Sequence, residues 1–204
     1  ASIEEDRFFY GDSFGTLTFV NNFDFETDYG TLFCICQKFE TNPNQILTAH
    51  EYKAAALWNI TEGGLECVWE CKDFPSRVWG CNFFKGEPII FSEDACVHYQ
   101  GHIYQMHRSK TITALSISGD TIVTAGQYGT IRFSNFLNQN AEPQIYEMSN
   151  KQLITASRDD GTCIVGTLEG DLILLPSFEK VYSKSDKTEV NQKKGWFLIS
   201  PYKT

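Results

Sequence analysis

The sequence predicts an all-β protein, a β-propeller with blades of four antiparallel strands, and three observations predict it. One pattern recurs five times: an apolar strand, a short polar or Gly turn, and a second apolar strand. The repeats follow one another at 39, 41, 34 and 41 residues, a period near 40 with one compact blade or shortened loop, which is the size of a four-stranded blade. The apolar runs are dominated by β-branched and aromatic residues, which suit strands, and the whole chain holds only two Met.

The five hairpins are expected near residues 5–20, 44–60, 87–100, 119–136 and 161–178. Gly15, Ala54, Ala95, Gly129 and Gly170 open the second strand of each. Gly15, Gly129 and Gly170 reach positive φ cheaply, as tight hairpin turns require. Alternation along Thr130–Asn135 turns one face of that strand towards a neighbouring blade. Runs at Thr31–Phe39, Arg77–Phe84, Thr111–Ser118 and Gln152–Ser157 precede hairpins and supply a further strand each. Leu65–Cys71, His102–His107 and Gln144–Met148 read as the strands nearest the axis, and Gly195–Tyr202 as part of another unit. No long helical periodicity is visible. A β-sandwich, the rival architecture, also uses short strands and turns but does not require one hairpin at near-constant spacing. The whole chain, 1–204, is expected to be blades with no separate second domain. Its opening residues read as the middle of a domain, so a partial propeller or a fragment of a longer multi-propeller chain is expected.

The net charge of −9 argues against a surface built mainly to hold phosphates. Lys184, Lys187, Lys193 and Lys194 read as a solvated loop diluted by Asp186 and Glu189. Seven Cys, an odd number and several within apolar strands, read as buried reduced thiols of a cytosolic or nuclear protein. No stretch is apolar enough to span a bilayer as a helix, and a cytoplasmic location is expected.

Chemical motifs are sparse. Cys34 and Cys36 with Cys67 and Cys71 lack paired zinc-ligand spacing, so no metal is expected. GDSFG at Gly11–Gly15 joins two strands, whereas a nucleophile elbow joins strand to helix. Asp159 and Asp160 read as turn formers. His50 suits a structural bond to a hairpin Ser, Thr or Asp. No catalytic residue and no cofactor are expected.

Leu57–Ile60 approaches a closing Trp-Asp pair, with Asn59 in the Asp place; Phe133 is read in the Trp place of its own unit, and Gly101–His102 in the place of a Gly-His pair. In these pairs the units resemble WD repeats in degenerate form. Phe74–Gln100 followed by His107–Phe136 resembles the WD-repeat accessory subunit of a tRNA anticodon-loop 2′-O-ribose methyltransferase acting at the wobble position. The resemblance rests on Arg77, Val78, Trp79, Glu93 and Asp94, then on Gly126 and Gly129. It covers about 90 residues. It implies a non-catalytic scaffold whose protein partner is a small Rossmann-like methyltransferase. S-adenosylmethionine would sit on that partner, and the scaffold would help position tRNA, contacting it only indirectly or weakly. The alternatives are a WD-repeat scaffold in another assembly, such as a ubiquitin-ligase receptor or a trafficking coat, and a propeller enzyme with a hydrolase or lyase site in its channel. Candidate partner-binding residues are Arg77, Trp79, Tyr52, Tyr128 and Arg158, because Arg, Trp and Tyr are common anchors. Lys53, Arg108 and Lys110 are the candidates for RNA phosphate.

Overall fold

The computed structural model describes residues 2–4, 7–19, 23–37, 42, 44–62, 64–108, 111–136, 138, 141–148, 152–157, 162–177 and 179–182. Among them there is no helix, and so none long and apolar enough to cross a membrane. The described residues form five four-stranded antiparallel sheets, each a meander of consecutive strands. The first holds β1 (Ser2–Glu4), β2 (Arg7–Gly11), β3 (Thr16–Phe19) and β4 (Phe23–Glu26). The second holds β5 (Leu32–Gln37), β6 (Gln45–His50), β7 (Ala54–Thr61) and β8 (Gly64–Cys71). The third holds β9 (Val78–Phe84), β10 (Glu87–Ser92), β11 (Cys96–Tyr99) and β12 (His102–Gln105). The fourth holds β13 (Ile112–Ser118), β14 (Thr121–Gly126), β15 (Thr130–Asn135) and β16 (Gln144–Glu147). The fifth holds β17 (Gln152–Ser157), β18 (Cys163–Thr167), β19 (Leu172–Leu175) and β20 (Glu179–Tyr182).

Alternation along the strands explains how the sheets stack. On β6, Ile46 and Thr48 face the first sheet with Leu17 and Trp58, while Leu47 and Ala49 face the third with Val78 and Ile90. On β14, Ile122 packs towards Phe84 and Ile89, whereas Val123 and Ala125 pack towards Cys163 and Val165. Each interior sheet therefore buries both faces, and a separate core fills each gap between successive sheets. The sheets touch mainly through their first strands: β5 on β1 and β2, β9 on β5 and β6, β13 on β9 and β10, and β17 on β13 and β14. Five successive sheets in this arrangement are propeller-like and are not the two facing layers of a sandwich.

The strands Leu65–Cys71, His102–His107 and Gln144–Met148 do not lie nearest the axis. They contain β8, β12 and β16, the fourth strands, each hydrogen-bonded on one side only among the described residues. Val68, Ile103 and Ile145 project from them into solvent. Four of the first strands skip one residue in their register against the second, between Leu32 and Cys34, Val78 and Gly80, Ile112 and Ala114, and Gln152 and Ile154. Such bulges re-aim the skipped side chain, and two of the skipped residues, Phe33 and Trp79, stack with centroids 4.9 Å apart.

Candidate docking face

The hairpin between the second and third strands is built alike in all five sheets. The loops have three residues in the second, third and fourth sheets and four in the first and fifth (12–15 and 168–171), and each carries one residue of positive φ at or next to its end: Gly15 (87°), Lys53 (57°), Ala95 (64°), Gly129 (91°) and Gly170 (88°). A type I turn closed by a left-handed residue has this form. The amide of that residue donates to the carbonyl three residues back at Gly15, Ala95, Gly129 and Gly170. In the second sheet the position is Lys53, one residue before the expected Ala54.

The same loops are tied to the chain entering and leaving their own sheet. The first loop residue donates to the residue preceding the first strand: Glu51 to Thr31, Glu93 to Arg77 and Gln127 to Thr111. The carbonyl of the left-handed residue accepts from the residue that leaves the sheet: Gly15 from Thr27, Lys53 from Phe74, Ala95 from Met106 and Gly129 from Met148. Further bonds cross between sheets, Leu32 to Asp12 and Thr111 to Glu93. Hairpin tips and inter-sheet connections thus share one stitched face.

Large apolar side chains stand out from that face. Phe14 (86% exposed), Tyr52 (66%) and Tyr128 (62%) stand immediately before the positive-φ residue of their loops, and Leu168 (56%) takes the first place of the fifth loop. In the third sheet the middle residue is Asp94, whose carboxylate accepts from Ser92 Oγ at 2.6 Å. Tyr52 lies over Gly30, where a Cβ would meet its ring at 2.9 Å. Arg77 is beside it, its guanidinium 3.6 Å from Glu51. Lys53 Nζ donates to the Pro75 carbonyl at 3.2 Å, so Tyr52, Lys53 and Arg77 form one patch. Arg108 is exposed in the connection that leads to β13. Trp79 packs on the core between the third and fourth sheets and stacks on Phe33 of the second, and its indole N–H is buried with no partner among the described residues. Arg158 and Lys110, and with them Asp159, Asp160, Gly195–Tyr202 and the four lysines of the final segment, lie outside the described residues.

Polar groups below this face form short internal networks, although His50 Nδ1 is buried with no partner among the described residues. Thr48 Oγ1 accepts from Trp58 Nε1 at 2.8 Å, meets His50 Nε2 at 2.8 Å and donates to the Ala56 carbonyl. Burial pushes the His50 pKa down to about 4. His107 Nε2 meets Thr124 Oγ1 at 2.9 Å, and burial, then the Arg132 charge, pushes its pKa to about 4. His102, read in the Gly-His place, instead opens β12 after the Gly101 turn and is exposed. The hairpin register places Ser134, not Phe133, at the position of Trp58; Phe133 faces the other way and meets Tyr146 edge-on.

Cys34 and Cys36 face Cys81 and Asn82 of the next sheet, while Cys67 is exposed on β8. All seven cysteines are free, and no group of three or more metal-binding side chains occurs among the described residues. Ser13 of GDSFG sits in a strand-to-strand hairpin.

Sequence reasoning placed Tyr52 and Tyr128 in hairpins and overlooked Phe14 and Leu168. The signal was present: in SFG and QYG an aromatic residue immediately precedes the positive-φ glycine. These features define an all-β, propeller-like protein whose conspicuous surface is a stitched, aromatic-tipped face. No known protein family matches the sequence, and no curated protein matches it.

Proposed function

We propose that the chain is part of a WD-repeat β-propeller that serves as a non-catalytic docking platform for a protein partner. The observation that carries this reading is the set of exposed Phe14, Tyr52, Tyr128 and Leu168 tips on loops held by backbone hydrogen bonds. Anchors already held in place lose little conformational entropy on binding, and Tyr and Arg are favoured at such positions.

The partner we propose is a small Rossmann-like tRNA 2′-O-ribose methyltransferase, which would itself bind S-adenosylmethionine. The support is the resemblance carried by Arg77, Val78, Trp79, Glu93, Asp94, Gly126 and Gly129. The platform orients the enzyme and the wobble nucleotide in the cytoplasm and contributes no bond-making group. A chain of net charge −9 suits a basic protein partner better than direct RNA binding. Lys53 and Arg108 are the described residues offered to phosphate.

The test is affinity purification of the tagged protein, with mass spectrometry of its partners and of 2′-O-methylation in the anticodon loop. Wild type is expected to bring down a small methyltransferase; Arg77→Glu is expected to lose it and to lower wobble methylation. Recovery of a ubiquitin-ligase or coat assembly in its place would overturn the tRNA reading and leave the platform standing.

A further inference from the structure

A second site lies away from the hairpin face, in the outer part of the gap between the third and fourth sheets. There β12, the outer edge of one sheet, faces β15 of the next across an open cleft of about 330 Å³. Ile103, Tyr104, Arg132, Ser134, Phe136 and Pro143 line it. Arg132 is half-buried, and its guanidinium is held by two neutral acceptors. Nε donates to Ser134 Oγ at 3.0 Å and Nη1 to the Met106 carbonyl at 2.7 Å.

No carboxylate among the described residues lies within ion-pairing distance of Arg132. By contrast, Lys72, Arg77, Lys85 and Lys180 each pair with an acidic side chain. Burial pulls the Arg132 pKa below its ordinary value, which marks a cation short of solvent and of a counter-charge. A guanidinium carries five N–H donors in a planar fork matched to a carboxylate, and the two bonds above leave donors free. Tyr104 and Phe136, with centroids 4.4 Å apart, form an apolar wall beside it. Ile103 is 59% exposed on the rim, on a strand that is paired on one side only among the described residues. Such an edge can accept an added extended segment.

We propose that this cleft binds an extended peptide segment of a protein partner in which an acidic residue stands beside an apolar one. The carboxylate takes the Arg132 fork, and the apolar side chain rests on Ile103 and the Tyr104–Phe136 pair. Charge complementarity selects this occupant: a neutral apolar segment would leave the guanidinium uncompensated. The site is separate from the hairpin face and does not depend on the identity of the partner proposed there.

The test titrates the whole chain with the blocked pentapeptide Gly-Leu-Asp-Leu-Gly, its Asn counterpart and inorganic phosphate, following backbone amide shifts by NMR. The Asp peptide is expected to saturate and to move residues of β12 and β15, with the Asn peptide at least about tenfold weaker, the loss of one charge-assisted contact. Arg132→Gln is expected to weaken the Asp peptide about as much. Ile103→Asp, a change at an exposed position that supplies an internal carboxylate, is expected to do the same while leaving the unfolding midpoint unchanged. Equal binding of the two peptides, no saturation at millimolar concentration, phosphate binding as tightly as the Asp peptide, or an unaltered Ile103→Asp titration would each overturn the proposal.

Discussion

The second and fourth sheets solve one problem in two ways. Each places a threonine two residues before the end of its second strand, Thr48 and Thr124, and each buries that hydroxyl against a histidine. In the second sheet the histidine is His50, on the same strand, and Trp58 of the third strand shares the hydroxyl. In the fourth sheet Gly126 stands where His50 would be, and His107 of the incoming connection fills the space. A Cβ on Gly126 would lie 2.8 Å from His107 Nδ1. The hydroxyl position is thus the constant of the unit, while the histidine can come from the hairpin or from the connection. The second solution also ties the third sheet to the fourth, because Arg132 bonds the Met106 carbonyl immediately before His107.

The comparison can be broken at the hydroxyls. Thr48→Val leaves Trp58 Nε1 and His50 Nε2 buried without their shared partner and is expected to cost about 2–4 kcal/mol; Thr124→Val strands only His107 and should cost about 1–2 kcal/mol. Equilibrium urea unfolding measures both, and equal losses would contradict the asymmetry. Gly126→Ala tests the space left for His107. The new methyl must displace a buried ring, with an expected loss of about 1–3 kcal/mol.

Acid sharpens the same contrast. Both histidines are neutral and buried in the folded state, with pKa values near 4, while the unfolded chain titrates near the ordinary 6.5. Between these values the unfolded state binds more protons, so the stability is fully present above about pH 6.5 and is lost as pH falls towards 4. At the acid end each histidine accounts for a loss on the order of 3 kcal/mol. His50→Gln is expected to remove about half of that pH dependence in a pH series of thermal melts. The smallest effect is expected at Lys53, a non-glycine at φ 57°. Lys53→Gly removes left-handed strain and should raise stability by up to about 1 kcal/mol, whereas Gly129→Ala in the matching place of the fourth sheet should lower it by a similar amount.

The hairpins were legible in the sequence because their turn chemistry is local: Gly15, Gly129 and Gly170 announce positive φ by residue type. Lys53 and Ala95 reach the same conformation without announcing it, which is why the second hairpin was read one residue late and Phe133 was assigned the place that belongs to Ser134. The fourth strands were misplaced for a different reason. His102–Gln105 and Gln144–Glu147 carry Ile and Tyr as a core strand would, and nothing local says which edge of a sheet faces its neighbours. Among the candidate site residues, Tyr52, Lys53 and Arg77 converge because loop and connection meet there, while Trp79 turns inward at its bulge. The Arg132 cleft left no mark in the sequence, since its walls come from two sheets.

The docking claim is tested most directly by a triple variant, Phe14→Ser, Tyr52→Ser and Tyr128→Ser. These side chains are mostly in water, so the unfolding midpoint is expected to stay within about 1 kcal/mol of wild type, while the protein partner expected to be recovered with the wild-type protein is lost. Undiminished recovery of that partner by the folded triple variant would contradict the account.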